Sequence, residues 1–460
     1  MNSFKQFSYH HLFLILGLIF GLKMVFVNPP WQSNDEDRHF FNAYNLSEGH
    51  VGPQEKDSVS GFMLPTKLYG TILSFQSIKF DENKLLSHEK INDLENLELD
   101  LERQEFVAAP NCKINPFPYI PAAIMIKAGS FFKGSAVWLG WWGRIGSLFA
   151  YLGIIYFAIK KIPAFKPILL MIALSPMALY QGASVSYDSL SMAFLFLFFA
   201  LIITYYFQEN KITFRQILLL CLVALAQRLS KDGYFIMFFS VAFIPMSKFQ
   251  NKALYWGTIG LMIMATFLPS QLWSMYLNHL HLPPEPSFQK DFLFDLSKNI
   301  SFHLHDPIHA AYLIALNVLE QGQLLIHGSI GRFGYAYYLL PFPMMLFYLL
   351  SMLFVVMSEK VNRILPLRFR LPIAILALMN CLAILVMFFL TGTAVGANYI
   401  FGLQGRYFTP LLPFLIVFLF YLPKPIIKYD YTKILAPFIS SAVLIYTLNH
   451  LESFFYFSPK

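Results

Sequence analysis

Apolar residues dominate the chain in runs rather than in alternation. Stretches of about 20 hydrophobic residues recur along almost its whole length, each long enough to cross a hydrocarbon core of roughly 30 Å. The pattern predicts about eleven transmembrane helices, over residues 8–27, 138–159, 164–183, 188–207, 214–229, 233–247, 252–274, 336–357, 371–391, 406–423 and 433–451. The expected fold class is therefore an all-α integral membrane protein. The expected organisation is a first span (1–27), a long extracytoplasmic loop (28–137), spans two to seven (138–274), a second outer loop (275–335) and spans eight to eleven (336–460).

The first run, His11 to Val27, is followed by Asn28-Pro29-Pro30-Trp31 rather than by small residues that suit signal cleavage, so it reads as an uncleaved span. Composition agrees: of 460 residues 57% are hydrophobic and 13% charged, which excludes a soluble globular class. Three scattered cysteines, Cys112, Cys221 and Cys381, make no disulfide framework.

Charge orients the spans. Threaded alternately, one set of short connections carries Lys160, Lys161 and Lys166, then Lys211 and Arg215, Lys248 and Lys252, Lys360 to Arg370, and Lys424 to Lys433. Short loops rich in Lys and Arg stay cytoplasmic. The N-terminus with Lys5 falls on that side and the C-terminus on the other. The net charge of +8 then belongs beside an anionic membrane surface, and no nucleic-acid partner is expected.

Two long segments face outward. The first holds 15 acidic residues against 10 Lys and Arg; within it, residues 81–106 place Leu94, Leu97 and Leu101 at helical spacing, which predicts an amphipathic helix near the interface. The second, rich in proline (283, 284, 286, 307) and histidine, is expected to form a partly ordered cap.

Candidate chemistry gathers at the outer ends of the spans. Asp35-Glu36-Asp37-Arg38-His39 starts about eight residues after the first span, and neighbouring carboxylates of this kind suit a tuned general base or a shared cation. The same cluster equally suits a solvated helix start. Asp188 interrupts two apolar runs at their outer end, either as a functional charge or as a helix cap. Arg228, Lys231 and Asp232 form an outer turn against the positive-inside trend, suiting an anionic ligand or local pairing. Arg406 and Arg332 sit at span mouths, where guanidinium groups bind phosphate bidentately or snorkel to lipid. His305 and His309 have helical metal-ligand spacing without further ligands at a fixed offset. No cofactor is assigned beyond a possible divalent metal.

An acid to deprotonate a nucleophile, with cations to hold a leaving phosphate, is the equipment for transfer from a phosphate-linked donor. Five short motifs in order carry a resemblance: Pro29-Pro30 with Asp35-Glu36-x-x-His39-Phe40-x-x-Ala43; Pro116-x-Pro118-Tyr119-x-Pro121; Ser186-x-Asp188; Lys231-x-x-Tyr234; and Gln404-Gly405-Arg406-Tyr407-x-x-Pro410. Together they resemble the domain of unknown function 2142 family of predicted bacterial membrane proteins, which groups with the GT-C type glycosyltransferases.

The resemblance implies a GT-C-like helical bundle in the bacterial cytoplasmic membrane with an extracytoplasmic active site. A polyprenyl-phosphate-linked sugar would be the donor, and a cell-envelope glycan, lipid or protein the acceptor. It further implies Asp35 or Glu36 as base for inverting displacement and His39 as their orienting partner. Lys231 and Arg406 would hold the carrier phosphate, with Tyr119 and Tyr407 lining the cavity beside Asp188, Tyr234 and Gln404; Arg332 joins the substrate-binding candidates by its place at a span mouth alone. Two other functions fit the composition: a flippase or exporter of a lipid-linked or anionic solute, and a polymerase or ligase of glycan blocks.

Overall fold

A computed structural model describes residues 8–79, 85–132, 134–283, 285 and 295–457. Lys5, the start of the expected amphipathic stretch (81–84), and Pro284 and Pro286 lie outside the described residues. Helix α1 (Tyr9–Val27) leads to a mixed α/β unit made of α2 (Glu36–Ser47), strands β1 (Gln54–Lys56) and β2 (Val59–Pro65), α3 (Thr66–Gln76), α4 (His88–Glu95), β3 (Gln104–Ala108) and α5 (Ile120–Ser130). The strands form an antiparallel sheet in the order β1-β2-β3, with Gly61 opposite both Gln54 and Ala108. Trp31, Phe40, Phe62, Leu64, Ile72 and Val107 fill a core of its own.

The bundle follows: α6 (Ala136–Lys161), α7 (Lys166–Ala173), α8 (Pro176–Gly182), α9 (Tyr187–Phe207), α10 (Phe214–Ser230), a 3-10 segment (Phe235–Phe243), α11 (Lys252–His279), α12 (Leu296–His305) and α13 (Pro307–Gly331). A hairpin of β4 (Arg332–Phe333) and β5 (Tyr338–Leu339) precedes α14 (Phe342–Ser358), α15 (Leu367–Thr391), a 3-10 turn (Gly405–Tyr407), α16 (Leu412–Phe420) and α17 (Thr432–Glu452). Helix α9 is the centre, with 83% of its most apolar window buried by protein. By contrast α11, α15 and α17 expose apolar side chains such as Phe267, Leu272, Leu378, Leu382, Ile434 and Phe438, an outer surface suited to lipid.

Among the described residues, six helices are long and apolar enough to cross a membrane: α1, α6, α9, α11, α15 and α17 with its π-helical extension to Phe457. Three of the about eleven expected spans take another form. Residues 164–183 break into α7 and α8, because Pro176 has no N–H to continue the ladder and Ser175 caps the second half, its Oγ accepting from the Ala178 N–H. Residues 233–247 wind as a 3-10 helix closed at Pro245, and 406–423 starts with 3-10 turns before the nine residues of α16.

Two outer segments also differ from expectation. The expected amphipathic helix over 81–106 is reduced to the eight residues of α4; residues 104–108 pair with β2 instead, leaving Leu97 and Leu101 exposed. The sheet itself is an addition to the all-helical class. The second expected outer segment, read as a partly ordered cap, contains α12 and the 25-residue α13. Asn317 and Gln321 interrupt the apolar run of α13 in sequence, yet inside the fold they bind the 391–405 linker: Asn317 donates to Asn398 O at 2.9 Å and accepts from the Ile400 N–H at 2.8 Å.

Candidate functional site

The turn after α1 holds the acidic motif through a single cation. Arg144, on α6, uses all its donors: Nε and Nη2 reach Glu36 Oε1 and Oε2 at 2.7 and 2.6 Å, Nη1 donates to Val25 O and Asn28 O, and Nη2 also donates to Pro29 O. Glu36 additionally accepts the Val185 and Ser33 N–H groups. Both side chains are almost completely buried. Charge-assisted bidentate pairs of this kind are short and directional. Glu36 is therefore fully engaged in holding the 25–36 turn, on which the adjacent Asp35 sits in the left-handed region at φ 57°.

Asp35 points to the other side. Its Oδ2 lies 3.4 Å from Arg406 Nη2 and its Oδ1 3.6 Å from Arg38, with a third of its side chain open. Arg406 is buried and reaches Asp188 as well, at 3.6 Å, while Asp188 Oδ1 accepts from Lys231 Nζ at 2.5 Å. Lys231 lies between the rings of Tyr187 and Tyr407, at 4.5 and 4.4 Å from their centroids, where each π face attracts the ammonium. Tyr234 donates to Tyr407 O at 3.0 Å. Two acids and two cations from four distant stretches thus converge at one end of the bundle.

Burial drives the His39 imidazole down to about 4, overriding the opposing pull of Asp35 and Asp188, so the ring is neutral at neutral pH. Its Nδ1 is 2.7 Å from the Tyr119 hydroxyl, and burial, then Asp188 and Asp35, keep that phenol protonated. A neighbouring network fixes α2 from behind. Asp37 Oδ2 meets Lys79 Nζ at 2.8 Å, and its Oδ1 accepts from the Tyr335 hydroxyl at 3.0 Å. Burial would raise the Asp37 carboxyl, but Lys79 outweighs it and the pKa is lowered.

Glycine is required where Arg406 is delivered. A Cβ on Gly405 would stand 2.3 Å from Leu325 O and 2.5 Å from the Gly328 carbonyl carbon, so the turn crosses α13 at backbone contact. Gln404 begins that turn and accepts the Tyr407 N–H through its carbonyl.

Of the residues singled out in the sequence, Asp35, His39, Tyr119, Asp188, Lys231, Tyr234, Arg406 and Tyr407 are brought together. Arg332 instead donates to Ala336 O inside its own hairpin. Arg228 pairs with Asp232 and donates to Thr266 O, leaving Lys231 as the cation that enters the cluster. His305 and His309 fall on different helices, and no group of three His, Cys, Asp or Glu side chains has metal-holding geometry among the described residues. Asp35 and Asp188 already face cations, a donor set that does not fit a resident divalent ion.

Arg144 was missed in the sequence reading. The available signal was a lone arginine inside an otherwise apolar span, which costs enough at membrane depth to demand a partner.

An apolar groove of about 560 Å³ runs beside the cluster between α6, α9 and α10, lined by Gly153, Phe157, Phe194, Leu219 and Ala226. Its lining also includes Phe117 and Leu229, two residues from Tyr119 and Lys231 respectively.

A bundle of membrane-length apolar helices with a buried charged cluster at one end defines a polytopic membrane protein. The chain belongs to the family described as predicted membrane protein, domain of unknown function 2142, whose profile matches residues 18–415. No curated protein and no solved structure matches it.

Proposed function

We propose that the protein is an inverting GT-C type glycosyltransferase of the bacterial cytoplasmic membrane. It takes a sugar from a polyprenyl-phosphate donor and passes it to a cell-envelope glycan, lipid or protein acceptor on the extracytoplasmic face. The observation that carries this reading is the convergence of Asp35, Asp188, Lys231 and Arg406 beside an apolar groove with room for an isoprenoid chain. In this reading α7 with α8, α10, the 3-10 segment, α14 and α16 complete about eleven crossings, and the basic loops lie in the cytoplasm.

Asp35 is the base, because Glu36 spends both oxygens on Arg144 and two backbone N–H groups. The acceptor O–H gives its proton to a carboxylate oxygen of Asp35 as the oxygen attacks the anomeric carbon from the face opposite the phosphate. The bond from that carbon to the phosphate oxygen breaks, its electron pair leaves with the phosphate, and the configuration inverts. Lys231 and Arg406 meet the charge that develops on the leaving group. Asp188 holds both cations in place before the donor arrives.

Purified protein given labelled polyprenyl-phosphate sugars and envelope acceptors is expected to form a glycosylated product. The broken α7–α8 pair favours a second reading, transport of a lipid-linked solute, since discontinuous helices serve transporters. Movement of the intact donor across proteoliposomes without a new covalent product would select it.

A further inference from the structure

Beside the start of the turn held by Arg144, at Val27 and Pro30, a second cavity of about 490 Å³ opens between the ends of α1 and α17, α4 and α6. Its wall combines Lys23, Asn92, Glu95 and Glu452 with Phe26 and Trp141. Four observations set it apart from an ordinary crevice.

Lys23 is the only Lys, Arg, Asp or Glu in α1; it is exposed and has no ion pair among the described residues. Glu452, half-buried at the end of α17, likewise has no ion pair among the described residues. The Trp141 indole N–H is buried without a hydrogen-bond partner, although Phe26 packs edge-on against its ring at 5.3 Å. Finally α17 continues into a π-helical turn, Ser453–Phe457, that carries Tyr456 onto His88 in a parallel stack at 4.3 Å. Such turns recur at functional sites.

A charge near the end of a membrane helix stays there at modest cost if a headgroup meets it. A phosphate alone suits Lys23 but is repelled by the carboxylates, and a cation alone suits the carboxylates but not Lys23. A ligand with a phosphate and a primary ammonium a few ångströms apart satisfies both. The exposed apolar face of Phe26 beside them accepts the start of an acyl chain, which a soluble ligand would not need.

We propose that this cavity is a binding site for a phosphoethanolamine lipid headgroup, with the phosphate on Lys23 and the Trp141 N–H and the ammonium on Glu452. Choline cannot replace ethanolamine there, because a quaternary ammonium has no N–H to donate. The site is independent of the transfer reaction and of whether Asp35 is the base.

The test uses the full-length protein purified in detergent, with binding of phosphatidylethanolamine, phosphatidylcholine and phosphatidylglycerol compared by native mass spectrometry. Phosphatidylethanolamine is expected to bind at least about tenfold more tightly than the other two. Soluble O-phosphoethanolamine at millimolar concentration is expected to compete, because the headgroup carries the recognition. Glu452→Gln and Lys23→Met should each remove the preference while their lipid-free unfolding temperature stays near that of the parent. Equal binding of the three lipids by the unmodified protein overturns the proposal whatever the variants do, and so does a preference that survives both substitutions.

Discussion

Arg144 Nη2 and Glu36 Oε2 lie 2.6 Å apart inside the bundle, and that contact separates two adjacent carboxylates into different roles. Glu36 holds the turn, whereas its neighbour Asp35 faces Arg406 and the open side of the site. Removing one member of a buried pair strands the other, at about 3–5 kcal/mol. Glu36→Gln and Arg144→Met are therefore expected to lower thermal stability sharply. Asp35→Asn should change it by less than about 1 kcal/mol, because a partly open carboxylate is screened by solvent. Unfolding scans of the three variants check this, and equal destabilisation by Asp35→Asn would contradict the division.

Arg406 and Lys231 carry the proposed contact with the donor phosphate. Arg406→Lys keeps the charge but loses the planar fork that spans Asn34 O, Asp35 and Asp188. The donor KM is expected to rise by roughly tenfold or more, corresponding to about 1.4 kcal/mol. Lys231→Met should act in the same direction and also release Asp188. A KM unchanged in both variants would remove the phosphate from this position.

Acid should weaken the site. An unfolded histidine takes up its proton near pH 6.5, whereas buried His39 resists until about 4. The folded state thus binds fewer protons in that interval, so this contribution, on the order of 3 kcal/mol, is complete above about pH 6.5 and is lost as pH falls toward 4. Asp37, with its lowered pKa, adds a loss of the same sign at lower pH. Unfolding temperatures from pH 8 to 4.5 should fall, and His39→Gln should flatten the slope; an unchanged slope in that variant would assign the effect elsewhere.

Much of this site is legible in the sequence because its residues break an apolar background. Asp188, Lys231 and Arg406 each interrupt or end a hydrophobic run, which marks them without any knowledge of the fold. Periodicity cannot say which of two adjacent carboxylates turns toward a partner from another helix, so the sequence does not tell Asp35 from Glu36, whose partner Arg144 lies 108 residues away. The form of three expected spans was hidden for a related reason. A hydrophobic run of the right length does not distinguish a continuous helix from the α7–α8 pair broken at Ser175-Pro176, and the polar face of α13 hid a 25-residue helix in what reads as a loop.

Gly405 tests how tightly Arg406 is delivered. A methyl group at 2.3 Å from Leu325 O forces the 3-10 turn away from α13, so Gly405→Ala should cost roughly 1–3 kcal/mol, as overpacking does. The donor KM should rise in parallel with that of the Arg406 variants. Wild-type stability in Gly405→Ala, measured by thermal unfolding, would contradict the close crossing.

The most direct measurement is transfer from a labelled polyprenyl-phosphate sugar by the purified protein and by Asp35→Asn, with unfolding temperature recorded for both. The expected result is product from the unmodified protein and a loss of at least about 10²-fold in Asp35→Asn at unchanged stability, as for removal of a general base. Undiminished turnover in a folded Asp35→Asn variant would contradict the role of Asp35.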